Sequence, residues 1–379
     1  MDNDKKTQTI RPQQGLTPAI PPLLPLTPDS PGCPRPRTSS KRLFSRLSLT
    51  DRLLVMIWPI LAKVRYEALP ARFSRRLLAP LLLSLFLNWI VGPLLMLGLA
   101  WAALPDLPAY RTGVILVGLA RCIAMVMVWT ALARGDAELC AVLVVINSVL
   151  QVVLYAPLAV LFVNVIGGEG GGLRLAYGDV AISVLIYLGI PLVAGVATRY
   201  AVQWLTSKTF LEEKFLPNFG LLSLLGLLYT ILVMFAYQGH AIIHNLGPVF
   251  RTAVPLVAYF ILMWTSTFWG VYRLGRRTGV QGGGGGGYEM TVVQSFTAAS
   301  NNFELAIAVA IAVYGVDSKQ ALAATIGPLV EVPVLLALTW VALYLREKLV
   351  WADDVNDDAD AAETDSEKKK EKVDLDGKC

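Results

Sequence analysis

The chain has 379 residues, of which 55% are hydrophobic and 16% charged, with a formal net charge of +5 and a mean hydropathy of +0.56. So small a charged fraction, against about 25% in soluble domains, excludes a soluble enzyme and indicates an integral membrane protein built from helices. The basic excess lies in tails and short loops beside apolar runs, so it reads as a topology signal and not as a nucleic-acid surface.

Residues 1–50 form a basic tail rich in Pro, Ser and Thr, too polar for a core and expected to be disordered. No apolar signal-peptide core is found before residue 50. Residues 53–62 (LLVMIWPILA) are apolar but amount to half a crossing. If they crossed, Lys41, Arg42 and Arg46 would lie outside, so a re-entrant or interfacial piece is expected. Lys63, Arg65, Arg72, Arg75 and Arg76 then mark the cytoplasmic side.

Eight spans follow, at 77–103, 112–133, 139–165, 178–198, 217–243, 251–272, 290–313 and 320–345. Alternate connectors carry the cations: Arg134, then Arg199, Lys208 and Lys214, then Arg273, Arg276 and Arg277. The opposite connectors hold only Arg111, Arg174 and Lys319 near their edges, which places both termini in the cytoplasm. Gly167–Gly172, interrupted by Glu169, and Gly282–Gly287 read as flexible linkers. The transporter domain is expected over 51–346, and 347–379 is a charged, disordered tail.

Two spans carry polar groups where hydrocarbon should be. Arg121 and Cys122 lie in the second, Asn301, Asn302 and Glu304 in the seventh. An ionisable residue at that depth costs roughly 2.5–3.5 kcal/mol on insertion scales, so it normally faces a partner or a water-filled site. A transport site near the midplane is the consequence. Asn301-Asn302 are poor helix formers and can break their helix so that backbone ends face a ligand.

Each of these residues also has a plainer reading. Cys122 can be a small buried hydrophobe, or a thiolate for a soft ligand beside Arg121. Glu304 can pair with Arg121, or exchange protons as a buried carboxyl. Asn88, Asn147, Gln151 and Glu331 can be interhelical hydrogen bonders, and Trp129 and Phe296 packing residues. His240 and His244 have metal-pair spacing without a third candidate ligand, and the cysteines Cys33, Cys122, Cys140 and Cys379 show neither a disulfide framework nor a zinc spacing.

A faint repeat is present. Gln151 stands 15 residues past Asp136, and Glu331 stands 14 past Asp317, each after one of the two polar spans. Because one connector is cytoplasmic and the other external, the two copies would be inverted.

The segments GLARCIAMVMVW, VVINSVLQVVLY, FTAASNNFELAIAVAIAVYG and IGPLVEVP resemble the arsenical-resistance-3 family of arsenite efflux permeases, within the bile acid/sodium symporter superfamily. The similarity runs from about Val55 to Leu345, and the proline-rich head suggests a fungal member. The resemblance implies an all-α polytopic membrane protein, an inverted-repeat secondary transporter with two broken crossing helices. It implies ten spans, against about eight full spans and a half here.

It also implies efflux of arsenite, and antimonite with it, by proton-coupled antiport at the plasma membrane, with no cofactor, no nucleic-acid partner and no enzymatic activity. Cys122 would bind the substrate as a thiolate ligand, together with Arg121, Trp129, Asn88, Asn147, Phe296 and Asn302. Glu304 and Glu331 would couple protons. One thiol suits this work, because As(III) is soft and prefers sulfur to oxygen, and a single sulfur releases what three would retain. Relative to the family, helix one and the first half of helix two are largely missing where LSLTDRLL meets VMIWPILAKVRYE at Leu54-Val55. The first repeat would then be truncated, ending near 166, against a second over about 177–346. The alternatives are a sodium-coupled organic-anion symporter of the same superfamily and a truncated, non-transporting paralogue.

Overall fold

Prolines and polar residues inside the apolar runs decide where the helices bend or break. A computed structural model describes residues 75–166, 175–216, 246–278 and 287–351, with scattered positions at 58–62 and 218–245. All of them belong to the unit Leu47–Cys379. The tails before residue 51 and after 351, most of the 53–62 piece, the glycine tracts, the Leu54-Val55 junction, His240 and most of the 217–243 span lie outside the described residues.

Helix α1 runs from Arg75–Phe86 through a π-helical turn, Leu87–Val91, into Gly92–Ala103. Helix α2 is Pro108–Leu119, and α3 is Met125–Leu132. Helix α4 is Ala137–Val160, continued by a π-helical turn at Leu161–Ile166. Helix α5 runs Tyr177–Val184, then a π turn Leu185–Gly189, then Ile190–Leu205. The short α6, Lys208–Phe210, leads into Leu211–Phe215. Then come α7 (Leu246–Thr278), α8 (Tyr288–Ala299), α9 (Phe303–Tyr314) and α10 (Lys319–Lys348).

The π turns in α1 and α5 are each followed by a proline, Pro93 and Pro191. A proline offers no N–H and its ring crowds the carbonyl four residues back. Widening the preceding turn relieves that crowding without ending the helix. Side chains supply the missing donors' partners at other starts. Asp136 accepts from the Glu138 and Leu139 N–H groups at 2.8 and 3.0 Å, and Ser318 from that of Ala321 at 3.1 Å.

Among the described residues five helices are long and apolar enough to cross a membrane: Leu78–Ala103, Ala137–Ile166, Tyr177–Leu205, Leu246–Arg276 and Lys319–Lys348. Two of the spans expected from the sequence, 112–133 and 290–313, are broken: α2 and α3 flank residues 120–124, and α8 and α9 flank residues 300–302. The order long helix, broken helix, long helix therefore occurs twice, over α1–α4 and α7–α10. At the crossing the extended segments pair antiparallel through Arg121 and Asn301, so the two broken helices meet running in opposite directions.

Burial sorts these helices into centre and rim. In α2 the residues from Tyr110 to Leu119 are all buried, and so is nearly every residue of α8. Helices apolar or buried all round belong at the centre of a bundle. The long helices instead leave apolar faces exposed, such as Leu78, Leu82 and Phe86 on α1, Ile182, Leu185 and Val193 on α5, and Phe250 and Val254 on α7. Such faces suit lipid. Gly113 lets α2 close on α10: a methyl there would stand 2.5 Å from the Gln320 carbonyl oxygen.

Two cations expected to label loops lie elsewhere. Arg199 is inside α5, fully buried, 3.8 Å from Glu212 and 3.5 Å from the Ala62 carbonyl. Arg111 is in the first turn of α2, bonded to the carbonyls of Leu104 and Pro105 at 3.1 and 2.9 Å and stacked 3.7 Å over Trp101. Long side chains let both charges find carbonyls or a carboxylate without leaving the helix. Residues Leu61 and Ala62 lie against Gly195 of α5, where an added Cβ would approach them to 2.9 and 3.0 Å, and Trp58 Nε1 donates to Thr198 at 2.9 Å.

Two clamps close the ends of the helices. Arg251 at the start of α7 grips both oxygens of Asp106 at 2.6 and 2.8 Å, and this hydrogen bonding holds the exposed carboxyl below the usual carboxylate range. Beyond α10, Trp351 is buried against Phe268, Tyr272 and Tyr288, with ring centroids 6.0, 5.1 and 5.2 Å away. Its Nε1 donates to the Arg346 carbonyl at 3.0 Å, and Tyr288 in turn donates to the Ala133 carbonyl at 2.8 Å.

Candidate functional site

The site is built where the two broken helices cross. Leaving the helix at residues 120–124 and 300–302 frees backbone groups that must be paired in a region without water. They pair with each other and with amides from neighbouring helices. Asn302 N–H donates to the Ala120 carbonyl at 3.0 Å, and Asn301 Nδ2 donates to the carbonyls of Val117 and Ala120 at 2.9 and 3.1 Å. Asn302 Oδ1 turns the other way and caps α9, accepting from Leu305 N–H at 3.1 Å.

The faint repeat read from the sequence has a counterpart here. Gln151 of α4 accepts the Arg121 backbone N–H at 3.0 Å. Glu331 of α10 accepts the Ser300 hydroxyl at 2.5 Å. Two residues at matching places in the two halves thus hold the two extended segments from opposite sides.

Cys122 lies in the first extended segment and is 2% exposed. Its sulfur accepts from the Val126 N–H at 3.3 Å, at the start of α3. Cys140, also buried, accepts instead from the Thr130 hydroxyl at 3.4 Å, away from the crossing contacts.

Arg121 does not pair with Glu304. Among the described residues no carboxylate comes within ion-pair distance of it. Its guanidinium donates to the Tyr259 hydroxyl of α7 at 3.0 Å and to the Gly118 carbonyl, while Nε is left without a partner. The Tyr259 hydroxyl in turn donates to the Ala298 carbonyl at 3.0 Å, tying the arginine to the second broken helix. Gly92, just past the π turn of α1, makes room: an added Cβ would sit 2.7 Å from the guanidinium and 2.9 Å from the Tyr259 oxygen. Neither Gly92 nor Tyr259 was singled out by the sequence, which gives no depth for a glycine or tyrosine in an apolar run.

Glu304 occupies the first turn of α9 and is half-buried. Asn147 accepts from Trp89 Nε1 at 3.1 Å, and its carbonyl accepts from Gln151 Nε2 at 3.4 Å, so it abuts the crossing through Gln151. Asn88 folds back on its own helix, donating to the Ser84 carbonyl and hydroxyl at 2.8 and 3.2 Å. Phe296 makes an aromatic contact with Trp264 at 5.9 Å, as the packing reading requires. The structure therefore joins Arg121, Cys122, Asn302 and Glu331 directly, Asn147 at one remove, and shows no bond from Asn88 or Phe296 to that group.

Several buried polar atoms of the residues singled out from the sequence have no partner among the described residues: Trp129 Nε1, Asn302 Nδ2, Asn147 Nδ2, Asn88 Oδ1 and Asn301 Oδ1. Buried groups of this kind are rare unless water or a ligand meets them.

The chain is similar to known membrane transport proteins. Residues 52–245 match the family described as Sodium Bile acid symporter family. An arsenical-resistance protein, Acr3, of Corynebacterium glutamicum is 45% identical over 301 residues, covering 78% of each chain. An uncharacterized transporter of Synechocystis sp. is 32% identical over 305 residues, 76% of this chain and 75% of that one. The Acr3 arsenical-resistance protein of Alkaliphilus metalliredigens is 28% identical over 317 residues, 80% of this chain and 84% of its own.

Proposed function

Given that this chain belongs to the Sodium Bile acid symporter family, we propose that it exports arsenite across the plasma membrane in exchange for protons, with antimonite as a second substrate. It is a multi-pass membrane transporter and not an enzyme, related to arsenical-resistance proteins along most of its length. The observation that carries the reading is Cys122: a single thiol in the unwound crossing, its sulfur facing a helix start. Arsenite near neutral pH is mostly uncharged As(OH)3, whose soft centre takes sulfur in preference to oxygen. The unpartnered Trp129, Asn302, Asn147 and Asn301 groups can meet its hydroxyls. Glu304 and Glu331 are the carboxyls available to carry the proton back, with both termini on the cytoplasmic side.

The test is arsenite resistance in cells that lack their own exporter. Cys122→Ser should abolish resistance with surface expression intact, and Cys140→Ser should leave it nearly unchanged, since Cys140 contacts Thr130 outside the crossing. Equal loss from both changes would remove the special status of Cys122. Sodium-driven uptake of an organic anion in place of arsenite efflux would favour the other branch of the superfamily.

A further inference from the structure

Helices α1 and α8 start at the same end of the bundle and run side by side toward the crossing. Arg251, near the start of α7, grips Asp106 just beyond the end of α1, while Tyr272 near the end of α7 and Tyr288 at the start of α8 both pack on Trp351. Two contacts fix the register of the pair, and α8 packs on both Arg75–Phe86 and the π turn of α1. Near the shared end Gln294 Nε2 of α8 donates to the Pro80 carbonyl of α1 at 2.9 Å. At the crossing Gly92 of α1 lies against the guanidinium of Arg121, whose backbone pairs with Asn301. Between these anchors Ser84 and Asn88 continue, at four-residue steps, the face of α1 that carries Pro80 and Gly92, and Thr297 lies one turn beyond Gln294 on α8. Asn301 ends the row.

These facing rows hold a series of orphaned polar atoms. Gln294 Oε1, Thr297 Oγ1, Asn88 Oδ1 and Asn301 Oδ1 have no hydrogen-bond partner among the described residues. Ser84, Asn88, Gln294 and Thr297 are 2%, 0%, 0% and 1% exposed, which leaves them closed to bulk solvent. Each orphaned atom accepts a hydrogen bond, and water is the smallest neutral donor. Buried water takes two to four bonds from groups of this kind. At the lower end Pro80 is part-exposed, so the row reaches the surface where α1 begins.

From this register we infer that α1 and α8 enclose a file of water running from the end where they begin to the crossing, a solvent path too narrow for arsenite. Protons hop along hydrogen-bonded water, so they reach the crossing by a route that the solute does not share. That use rests on the proton exchange proposed above, whereas the file itself does not. The sequence singled out Asn88 alone and passed over Ser84, Gln294 and Thr297, because such groups acquire facing partners only when two helices are in register.

The test uses the full-length protein in lipid vesicles with Cys33, Cys122, Cys140 and Cys379 replaced by Ser. One thiol is then placed in the seam, by Thr297→Cys on α8 or by Ser84→Cys on α1. Two thiol reagents are added on both faces of the membrane: Ag+, small enough to move along a water file, and ethylammonium methanethiosulfonate, which is larger than arsenite. The thiol that survives is counted with a maleimide dye after denaturation. A companion protein keeps only Cys140, which is buried outside the seam against Thr130. Ag+ should consume the seam thiols while Cys140 persists, and the larger reagent should leave all three intact. Seam thiols that survive Ag+ would overturn the file, and so would loss of Cys140 at the same rate, since entry would then be general. Loss of the seam thiols to the larger reagent as well would overturn the narrow path, leaving one wide enough for arsenite. If one variant fails to fold the other decides, because they approach the seam from opposite helices. No arsenite is present, so these outcomes leave the reading of Cys122 untouched, and arsenite resistance that survives Cys122→Ser would sink that reading with the file still standing.

Discussion

At the scale of single residues, the site depends on groups whose neighbours are set at fine tolerance. Gly92→Ala makes a sharp test, because two effects oppose. In a helix alanine is favoured over glycine by about 0.8–1.0 kcal/mol, yet its Cβ would press the Arg121 guanidinium at 2.7 Å and the Tyr259 hydroxyl at 2.9 Å. The end of a long side chain yields more readily than backbone. We therefore expect little change in melting temperature and a clear loss of arsenite efflux; an unchanged efflux rate would show that the Arg121–Tyr259 contact is not needed. Glu304→Gln keeps size and hydrogen bonding but cannot exchange a proton. Everted vesicles carrying it should fail to accumulate arsenite in response to a pH gradient, and accumulation at the wild-type rate would remove Glu304 from the coupling step. The Arg121–Glu304 ion pair weighed from sequence depth alone is replaced by a tyrosine and a carbonyl, since equal depth says nothing about which way two side chains face.

At the scale of elements, the break in each crossing helix can be tested at its cap. Asn302→Ala removes the oxygen that accepts from Leu305 N–H, and such a loss costs about 1 kcal/mol. Amide exchange at Leu305 should speed up in proportion, and unaltered exchange there would show that the cap carries no energy. The second break was legible, because Asn301-Asn302 in an apolar run are poor helix formers. The first was not: residues 120–124, Ala-Arg-Cys-Ile-Ala, have no breaker among them. It opens because the Ala120 and Val117 carbonyls are drawn off by Asn301 and Asn302, a tertiary contact that overrides local propensity. The π turns were equally hidden, although Pro93 and Pro191 explain them afterwards. The internal repeat, by contrast, was visible in the spacing of Gln151 and Glu331, and the bond each accepts from one extended segment gives that spacing its physical reason.

At the scale of the whole molecule, transport by this architecture needs one group of helices to rock against another around a fixed site. By the family resemblance, the stretch expected and not found at Leu54-Val55 would belong to the moving group. Downstream of that junction, Leu61 and Ala62 seat on Gly195 of α5. Restoring the family's missing stretch should raise arsenite resistance well above that of the chain as it stands, at matched surface expression. Equal resistance from both would show the stretch to be dispensable. Trp351 has a different consequence, one of timing. It follows in the order of synthesis every helix whose rings it meets, so Phe268, Tyr272 and Tyr288 must wait on the ribosome for the ring that fills the space between them. A nascent chain arrested before residue 351 would hold α7, α8 and α10 inserted but unlatched, a quality-control substrate, whereas a fusion appended beyond Trp351 would meet a fold already closed.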